Sequence, residues 1–332
     1  DHRIPFTAVI SVVLLGCISI YAQDTPPSDK AVAPVSRTIR LDYAVKLLKL
    51  PIDAKVRVWL PVPSSDDYQQ VREIDRELPA LGQIHHEPVF GNKILHFETT
   101  GPESGESTFR VSYRVRRLEV QALAGPAGDD PLSDNDRRRF LAANRKVPIT
   151  GKPLLLLDGL QFREDSVSVA RRLYDRVDEH VRYDKSKPGY GNGDVLWVCD
   201  SRFGNCTDFH SLFISLARSQ GIPARFEIGF PLPVERGKGT IGGYHCWAYF
   251  HADDHGWVPV DISEADKHPE LKEYYFGNLS ENRIAFSAGR DINLVPRQKS
   301  EPLNYFIYPH VEVDGKEWPK ERIQLSCSYT DD

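Results

Sequence analysis

The stretch Gly204-Asn205-Cys206-Thr207-Asp208-Phe209-His210 predicts the start of a helix that carries a thiol in its first turn. Asn205 fits the N-cap and Asp208 fits the third helical position, which together form a capping box. Cys206 then takes the first helical position, where free N–H groups and the helix dipole favour a thiolate. A buried core cysteine is the alternative, but the polar neighbours of Cys206 disfavour it. The helix continues along an apolar face and ends at a glycine and a proline: Phe209, Leu212, Phe213, Leu216, Ala217, Gly221, Pro223.

A histidine and an aspartate further along the chain complete a set of three reactive groups. Alternation and turn residues predict three strands, over residues 224–230, 243–251 and 257–262. On the second strand Cys246 should face away from His245, because successive side chains alternate. If His251 lies opposite His255 in the hairpin, His245 lies opposite Asp261 and both project to one face. The carboxylate can then orient the imidazole.

The region between residues 160 and 265 resembles the transglutaminase-like superfamily, papain-type enzymes that carry cysteine, histidine and aspartate in this order. The separations, 39 residues from Cys206 to His245 and 16 from His245 to Asp261, are ordinary for that family. Secreted bacterial members with an N-terminal β domain are the most similar overall. The resemblance implies an α+β fold in which the cysteine-bearing helix packs on an antiparallel sheet bearing the histidine and the aspartate. It rests on four strings: Gly204-Asn205-Cys206-Thr207-Asp208, Gly221-Ile222-Pro223-Ala224-Arg225, His245-Cys246-Trp247-Ala248-Tyr249, Gly256-Trp257-Val258-Pro259-Val260-Asp261.

The resemblance also implies a role for each member of the set. Cys206 attacks an amide carbonyl, His245 activates the thiol and protonates the leaving amine, and Asp261 holds the histidine's tautomer. The acyl-enzyme, a thioester, then passes to water or to an amine. No device that would exclude water is evident, so hydrolysis by a peptidase or amidase is favoured over protein cross-linking by an acyltransferase. A non-catalytic binding module on the same fold is the alternative of a different class.

Three further residues are candidates for the oxyanion hole or the substrate cleft. Trp197 is a candidate second oxyanion donor through its indole N–H, with packing as the alternative. His210 lies one helical turn after Cys206 and either tunes the thiolate, lines the cleft or is an ordinary polar residue. Trp247 shares the face of His245 and is a candidate cleft residue.

No metal or cofactor is predicted. A zinc site built from Cys199, Cys206, His210 and Cys246 is disfavoured, because the spacing of the first two is wrong for paired ligands. A disulfide among Cys199, Cys246 and Cys327 stays open, since an exported chain permits one. Cys206 itself must be reduced for catalysis.

The N-terminal part predicts an antiparallel β-sandwich. Val56, Val58 and Leu60 alternate with polar neighbours, and the stretch 109–115 does the same. Its outward arginines fit an ordinary solvent face. The predicted segments are a signal peptide (1–22), a linker (23–36), the β-sandwich (37–120), a connector (121–160), the catalytic core (161–265) and a C-terminal extension packed on that core (266–332).

Residues 2–22 read as an export signal, with a short basic start, an apolar run and a cleavable Ile20-Tyr21-Ala22. Lipidation at Cys17 is a less favoured alternative, and the run is too short for a membrane span. With 332 residues and a net charge of −5, the chain lacks the basic character of nucleic-acid binders. A protein or peptide substrate is the expected partner, and the oligomeric state stays open.

Overall fold

A computed structural model describes residues 35–125, 128–162 and 165–332; the predicted export signal and Cys17 lie outside them. The helices are α1 (Asp134–Leu141), α2 (Ser166–His180), α3 (Val195–Ser201), α4 (Cys206–Ser219) and α5 (Ile262–Lys267), with 3-10 turns at Lys152–Leu157, Pro269–Leu271 and Lys320–Arg322. The strands are β1 (Ser36–Leu47), β2 (Lys55–Val62), β3 (Gln69–Glu77), β4 (Gln83–His86), β5 (Lys93–Thr100), β6 (Ser107–Leu118), β7 (Val120–Gln121), β8 (Arg182–Tyr183), β9 (Phe203–Gly204), β10 (Ala224–Pro231), β11 (Lys238–Ile241), β12 (His245–Ala252), β13 (Gly256–Val260), β14 (Asn278–Leu279), β15 (Arg283–Ala288), β16 (His310–Val313), β17 (Lys316–Glu317) and β18 (Ile323–Asp331).

Two five-stranded antiparallel sheets form the N-terminal region. The first has the order β11-β18-β1-β6-β3 and the second the order β17-β16-β2-β5-β4. Buried and half-buried residues alternate along β1, as expected for a strand with one face in the core. Phe97 on the second sheet meets Phe109 on the first edge-on, with ring centroids 5.1 Å apart. The expected sheet-rich region is confirmed.

The C-terminal segment does more than pack on the catalytic core. β15 joins the core sheet beside β10, but β16 pairs with β2 and β18 pairs with β1. The expectation that residues 266–332 only pack on the core was therefore incomplete. The two N-terminal sheets contain strands from this C-terminal segment as well as from residues 37–120. Unpaired edges of β1 and β2 would expose backbone donors and acceptors. Local sequence patterns do not show which distant strand covers such an edge.

The core combines α4 with a four-stranded antiparallel sheet of order β13-β12-β10-β15. As predicted, α4 begins with the capping box of Asn205 and Asp208, and the chain turns at Gly221, whose φ is 76°. Residues 206–218 are all buried, because the sheet, α2 and α3 surround the helix. The predicted α+β fold, with the cysteine helix on an antiparallel sheet, is confirmed.

Two element ends near the site are set by aspartate side chains. α2 starts at Ser166, and the side chain of Asp165 before it accepts the N–H of Ser168 at 2.9 Å. The third core strand ends at Val260, and Ile262 begins α5 instead of continuing the strand. Among the described residues no helix is both long enough and apolar enough to span a bilayer.

Candidate active site

Cys206 occupies the first turn of α4, as predicted. Asn205 accepts the N–H of Thr207 at 2.9 Å, and Asp208 accepts the N–H of Asn205 at 2.9 Å. These contacts fix the entry of the chain into the helix. The side chain of Cys206 is almost fully buried, with 2% of the residue exposed. The sulfur is therefore held in a water-poor environment at the positive end of the helix dipole.

His245 and Asp261 meet, although not through the predicted register. β12 pairs with β13 as Ala248↔Val260, and His251 lies opposite Trp257 rather than His255. Asp261 follows the last strand residue and caps α5, so it is not the cross-strand neighbour of His245. The prediction was wrong by two residues. A slip of two preserves which face each side chain occupies, and His245 Nε2 lies 2.7 Å from Asp261 Oδ2.

The ring of His245 bridges the carboxylate and the thiol. His245 Nε2 faces Asp261, and His245 also makes a side-chain hydrogen bond with Cys206. Because Nε2 is occupied, Nδ1 is the ring nitrogen that can contact the sulfur. Burial alone would raise the pKa of Cys206, but the hydrogen bonds of Cys246 and His245 hold it well below its ordinary value. Burial would lower the pKa of His245, yet Asp261 and Cys206 raise it to about 10. Both shifts favour the thiolate and imidazolium forms of the pair over the neutral forms.

Asp261 stays ionised despite complete burial. Burial by itself would raise its pKa, but His245 and Arg283 hold the pKa far below the usual range. Its second oxygen accepts the N–H of Glu264 at 3.2 Å, the N-cap contact of α5. One carboxylate therefore orients the histidine and starts a helix.

Cys246 contacts the reactive thiol, which the strand alternation did not predict. Its side chain hydrogen-bonds Cys206 and lies 3.7 Å from Thr207 Oγ1. Since α4 packs across β12, the helix start lies within reach of both His245 and Cys246. Burial raises the pKa of Cys246 well above its usual range, so it stays a thiol. In the described part of the chain Cys199, Cys206, Cys246 and Cys327 are all free.

His210 lies behind the site, not at its surface. It is fully buried, and its Nε2 accepts the N–H of Ile262 at 3.1 Å. Burial lowers the pKa of His210, so the ring is neutral with its proton on Nδ1. The roles of His210 in tuning the thiolate or lining the cleft stay predictions. His210 links α4 to the start of α5 and thereby supports Asp261.

The two tryptophans make packing contacts. Trp247 is fully buried and donates its indole N–H to Glu227 Oε2 at 2.6 Å. Its role as a cleft residue stays a prediction. Trp197 on α3 meets Phe203 edge-on at 5.2 Å and lies against Gly189. A Cβ at Gly189 would come within 2.7 Å of the Trp197 ring. The oxyanion role of Trp197 stays a prediction.

Sequence reasoning missed four residues around the site. Arg283 Nη1 lies 3.0 Å from Asp261 Oδ2, and its guanidinium stacks over Trp247 at 4.9 Å. Tyr244 joins its hydroxyl to Asn205 Nδ2 at 3.1 Å and to Thr207 Oγ1 at 2.9 Å. Glu264 Oε1 lies 3.7 Å from His245 Nε2, and Cys246 adjoins the thiol. The local signal for Arg283 was a charge at the start of an apolar strand.

Asp208 ties the loop before α3 to the start of α4. Its two carboxylate oxygens accept the backbone N–H groups of Gly191 at 2.7 Å and Gly193 at 2.9 Å. Gly191 and Gly193 have φ values of 86° and 56°, which glycine adopts without strain. These two hydrogen bonds hold the glycine-rich loop beside the start of α4.

One group of potential metal ligands overlaps the site. His245, Asp261 and Glu264 place one ligand atom each within 4.8 Å of one another. Arg283 already contacts Asp261, and Lys267 contacts Glu264. The two carboxylates are thus neutralised by side-chain cations, and the histidine nitrogen in the group donates to Asp261. This donor set fits an ion-pair network better than a metal.

Comparisons with known proteins agree with this geometry. Residues 157–262 match the family model described as the Transglutaminase-like superfamily. Over 301 aligned residues the chain is 27% identical to an uncharacterised protein of Haemophilus influenzae, with 79% of this chain and 81% of that protein covered. The match to the family contains all three residues of the Cys206–His245–Asp261 set.

Solved structures also match this chain, and two of them illustrate the similarity. A candidate cysteine protease from Cytophaga hutchinsonii superposes with a TM-score of 0.58 at 15% identity, covering 89% of this chain and 91% of that one. The periplasmic domain of TgpA from Pseudomonas aeruginosa gives a TM-score of 0.37 at 16% identity, covering 73% and 95%. The Cytophaga protein shows a shared fold. Residues 157–262 of the chain therefore form a transglutaminase-like domain.

Proposed function

We propose that this protein is an exported cysteine enzyme that cleaves amide bonds of peptides or proteins through a thioester intermediate. The observation that carries the proposal is the buried line of Cys206, His245 and Asp261 at the start of α4. In this line, His245 Nε2 lies 2.7 Å from the carboxylate and its other ring nitrogen serves the thiol. Thiolate and imidazolium are the forms that start acyl transfer.

The first half-reaction forms the thioester. The Cys206 thiolate attacks the amide carbonyl carbon, and the carbonyl electrons move to oxygen. The backbone N–H of Cys206 and a second donor, for which Trp197 is the candidate, stabilise that oxyanion. The oxyanion collapses, the C–N bond breaks, and the imidazolium of His245 gives its Nδ1 proton to the leaving amine. Asp261 keeps the ring oriented throughout.

The second half-reaction returns the thiolate. Water attacks the thioester while neutral His245 takes a proton from it, and the tetrahedral intermediate expels the Cys206 thiolate to give a carboxylic acid. Attack by an amine in place of water would give transfer, so the acceptor decides between peptidase and cross-linking outcomes. We favour hydrolysis as the outcome, because the sequence shows no evident device that would exclude water from the thioester.

Export is part of the proposal and rests on the pattern of residues 2–22. An exported enzyme meets peptides and envelope or extracellular proteins as substrates. Mass spectrometry of the secreted and cell-associated forms would show cleavage after Ala22. Retention of residues 2–22 on the mature protein would contradict it.

Two experiments test the activity. Peptide mixtures are incubated with the protein, with and without an isotopically labelled primary amine, and analysed by mass spectrometry. New peptide termini, or side-chain amides converted to carboxylates, show that water was the acceptor and support hydrolysis. Products that contain the labelled amine indicate transfer. Cys206→Ala is the matched inactive control, and equal products from both proteins would refute the proposal.

Thiol labelling separates an enzyme from a binding module. At pH 6 iodoacetamide should alkylate Cys206 faster than half-buried Cys199, whose pKa burial raises. His245→Ala should remove that advantage. Equal labelling rates of the wild-type and His245→Ala proteins would favour a module that keeps the fold without its chemistry.

A further inference from the structure

Three arginines share a pocket on the outer face of the first N-terminal sheet, far along the chain from the thiol. Arg72 comes from β3, and Arg114 and Arg116 come from β6. The pocket has a volume of about 300 Å³ and no acidic residue in its wall. We call it the arginine pocket. Its other lining residues are Thr38, Ser65, Gln70 and Val71.

The strand register forces the positive charges together. Arg114 lies directly opposite Arg72 on one side and Arg40 on the other, so three guanidinium groups stand in one row. Arg116, two residues along the same face, lies opposite Gln70 and so forms the next row. Like charges directly opposite each other destabilise a sheet. The sequence prediction that these arginines form an ordinary solvent face misses this convergence.

The charges are only partly compensated. Arg40 pairs with Asp42 at 3.1 Å, and Arg114 pairs with Asp332 at 2.7 Å. Among the described residues no carboxylate lies within 4.0 Å of the guanidinium of Arg72 or Arg116. This positive cluster is found on a chain whose net charge is −5. It is therefore a local feature of the fold and does not follow from the overall composition.

We infer that the arginine pocket binds a compact anion of the phosphate class, either free or as a phosphate ester. Guanidinium groups match phosphate oxygens in bidentate pairs, which lysine cannot do. The hydroxyl of Thr38 and the amide of Gln70 supply neutral donors in the same wall. A pocket of this size holds one such group and is too small for the backbone of a nucleic acid. This inference does not depend on the proposed amidase activity.

The binding test uses the full chain, with inorganic pyrophosphate and glycerol 3-phosphate as probes. Isothermal titration measures the Kd, and sodium chloride at the same ionic strength serves as the salt control. Arg72→Gln and Arg116→Gln should each weaken binding about tenfold or more, since each removes charge-assisted hydrogen bonds. The Kd of Arg72→Lys should lie between those of the two Gln variants and that of the wild type, because lysine keeps the positive charge but cannot form a bidentate pair. Tighter binding of the ester than of pyrophosphate would mark a phosphate carried on a larger molecule as the ligand.

The control variant is Arg138→Gln, which removes one positive charge from an exposed position on α1 outside the pocket. It should bind both probes as wild type does. Saturating probe should also raise the Tm of the wild-type protein by about 2–4 °C. Equal Kd values for wild type, Arg72→Gln and Arg116→Gln would overturn the inference, and so would a Tm rise that sodium chloride reproduces.

Folding of the variants is checked without any probe. At low ionic strength Arg72→Gln should be at least as stable as wild type, because it relieves the repulsion of Arg114 across the strand pair. A variant that folds, keeps this stability and still binds pyrophosphate with the wild-type Kd would likewise overturn the inference.

Discussion

Arg283 Nη1 lies 3.0 Å from Asp261 Oδ2, the same oxygen that receives the hydrogen bond of His245. Arg283 is buried, comes from β15 and lies beyond the residues that match the family model. It helps to keep the buried carboxylate ionised, and its stacking on Trp247 fixes its own position. We assign it as a positioning residue, which acts on the reaction only through Asp261.

Replacing Arg283 by Gln should lower kcat by on the order of 10- to 100-fold with little change in KM. The substrate contacts stay in place, but Asp261 loses one of the two groups that hold its Oδ2, so the histidine is less well oriented. Arg283→Lys should restore part of the rate because it keeps the charge. Steady-state kinetics on a peptide substrate measure both. A variant with a lower Tm but wild-type kcat would show a merely structural role.

Removing the thiol of Cys246 should raise the pKa of Cys206. The hydrogen bond of Cys246 is one of the contacts that hold this pKa low, so Cys246→Ala should shift the pH midpoint of Cys206 alkylation upward. Stability should fall by only about 1 kcal/mol, since a small buried side chain is shortened. The matched control is Cys327→Ala, a buried thiol on β18. A midpoint that shifts equally in both variants would contradict the role of Cys246.

Asp208→Asn should release the loop that carries Gly191 and Gly193. The amide offers a single acceptor oxygen where the carboxylate serves three N–H groups. Lost capping costs about 1–2 kcal/mol, and hydrogen exchange at both glycines should accelerate. Asp165→Asn, at the N-cap of α2, is the control, because the Asp165 side chain caps a helix but does not hold this loop in place. Unchanged exchange at the glycines would show that other contacts hold the loop.

Acid should destabilise the N-terminal sheets through His96. Burial, with the charge of Arg57, lowers the pKa of His96 to about 4, whereas the unfolded chain has the ordinary value near 6.5. Between these two pH values His96 is protonated in the unfolded state and neutral in the folded state. The free energy of unfolding therefore falls as the pH decreases from 6.5 to 4. His96→Phe should flatten this dependence in urea unfolding, while His268→Phe, at a half-exposed position, should leave it unchanged. Equal slopes in both variants would assign the acid sensitivity to other groups.

Short-range features of the site were predictable because their causes are local. The capping box needs only Asn205 and Asp208 three residues apart, and it places Cys206 at the helix start without any distant contact. The face of His245 also followed from alternation. The strand register did not follow from alternation. Two registers of a hairpin that differ by two residues keep every side chain on the same face, so alternation cannot distinguish them. The predicted face therefore survived an error of two residues in the pairing.

Contacts between distant segments could be known only from the tertiary structure. The meeting of Cys246 with Cys206, the support of Asp261 by Arg283 and the row of Arg72, Arg114 and Arg40 all depend on how α4, β15 and the sheets pack. By itself, the sequence determined the helix start, the strand periodicity and the order of the three reactive groups. Local propensity and periodicity act over a few residues, whereas strand pairing and buried ion pairs are selected by the whole folded chain.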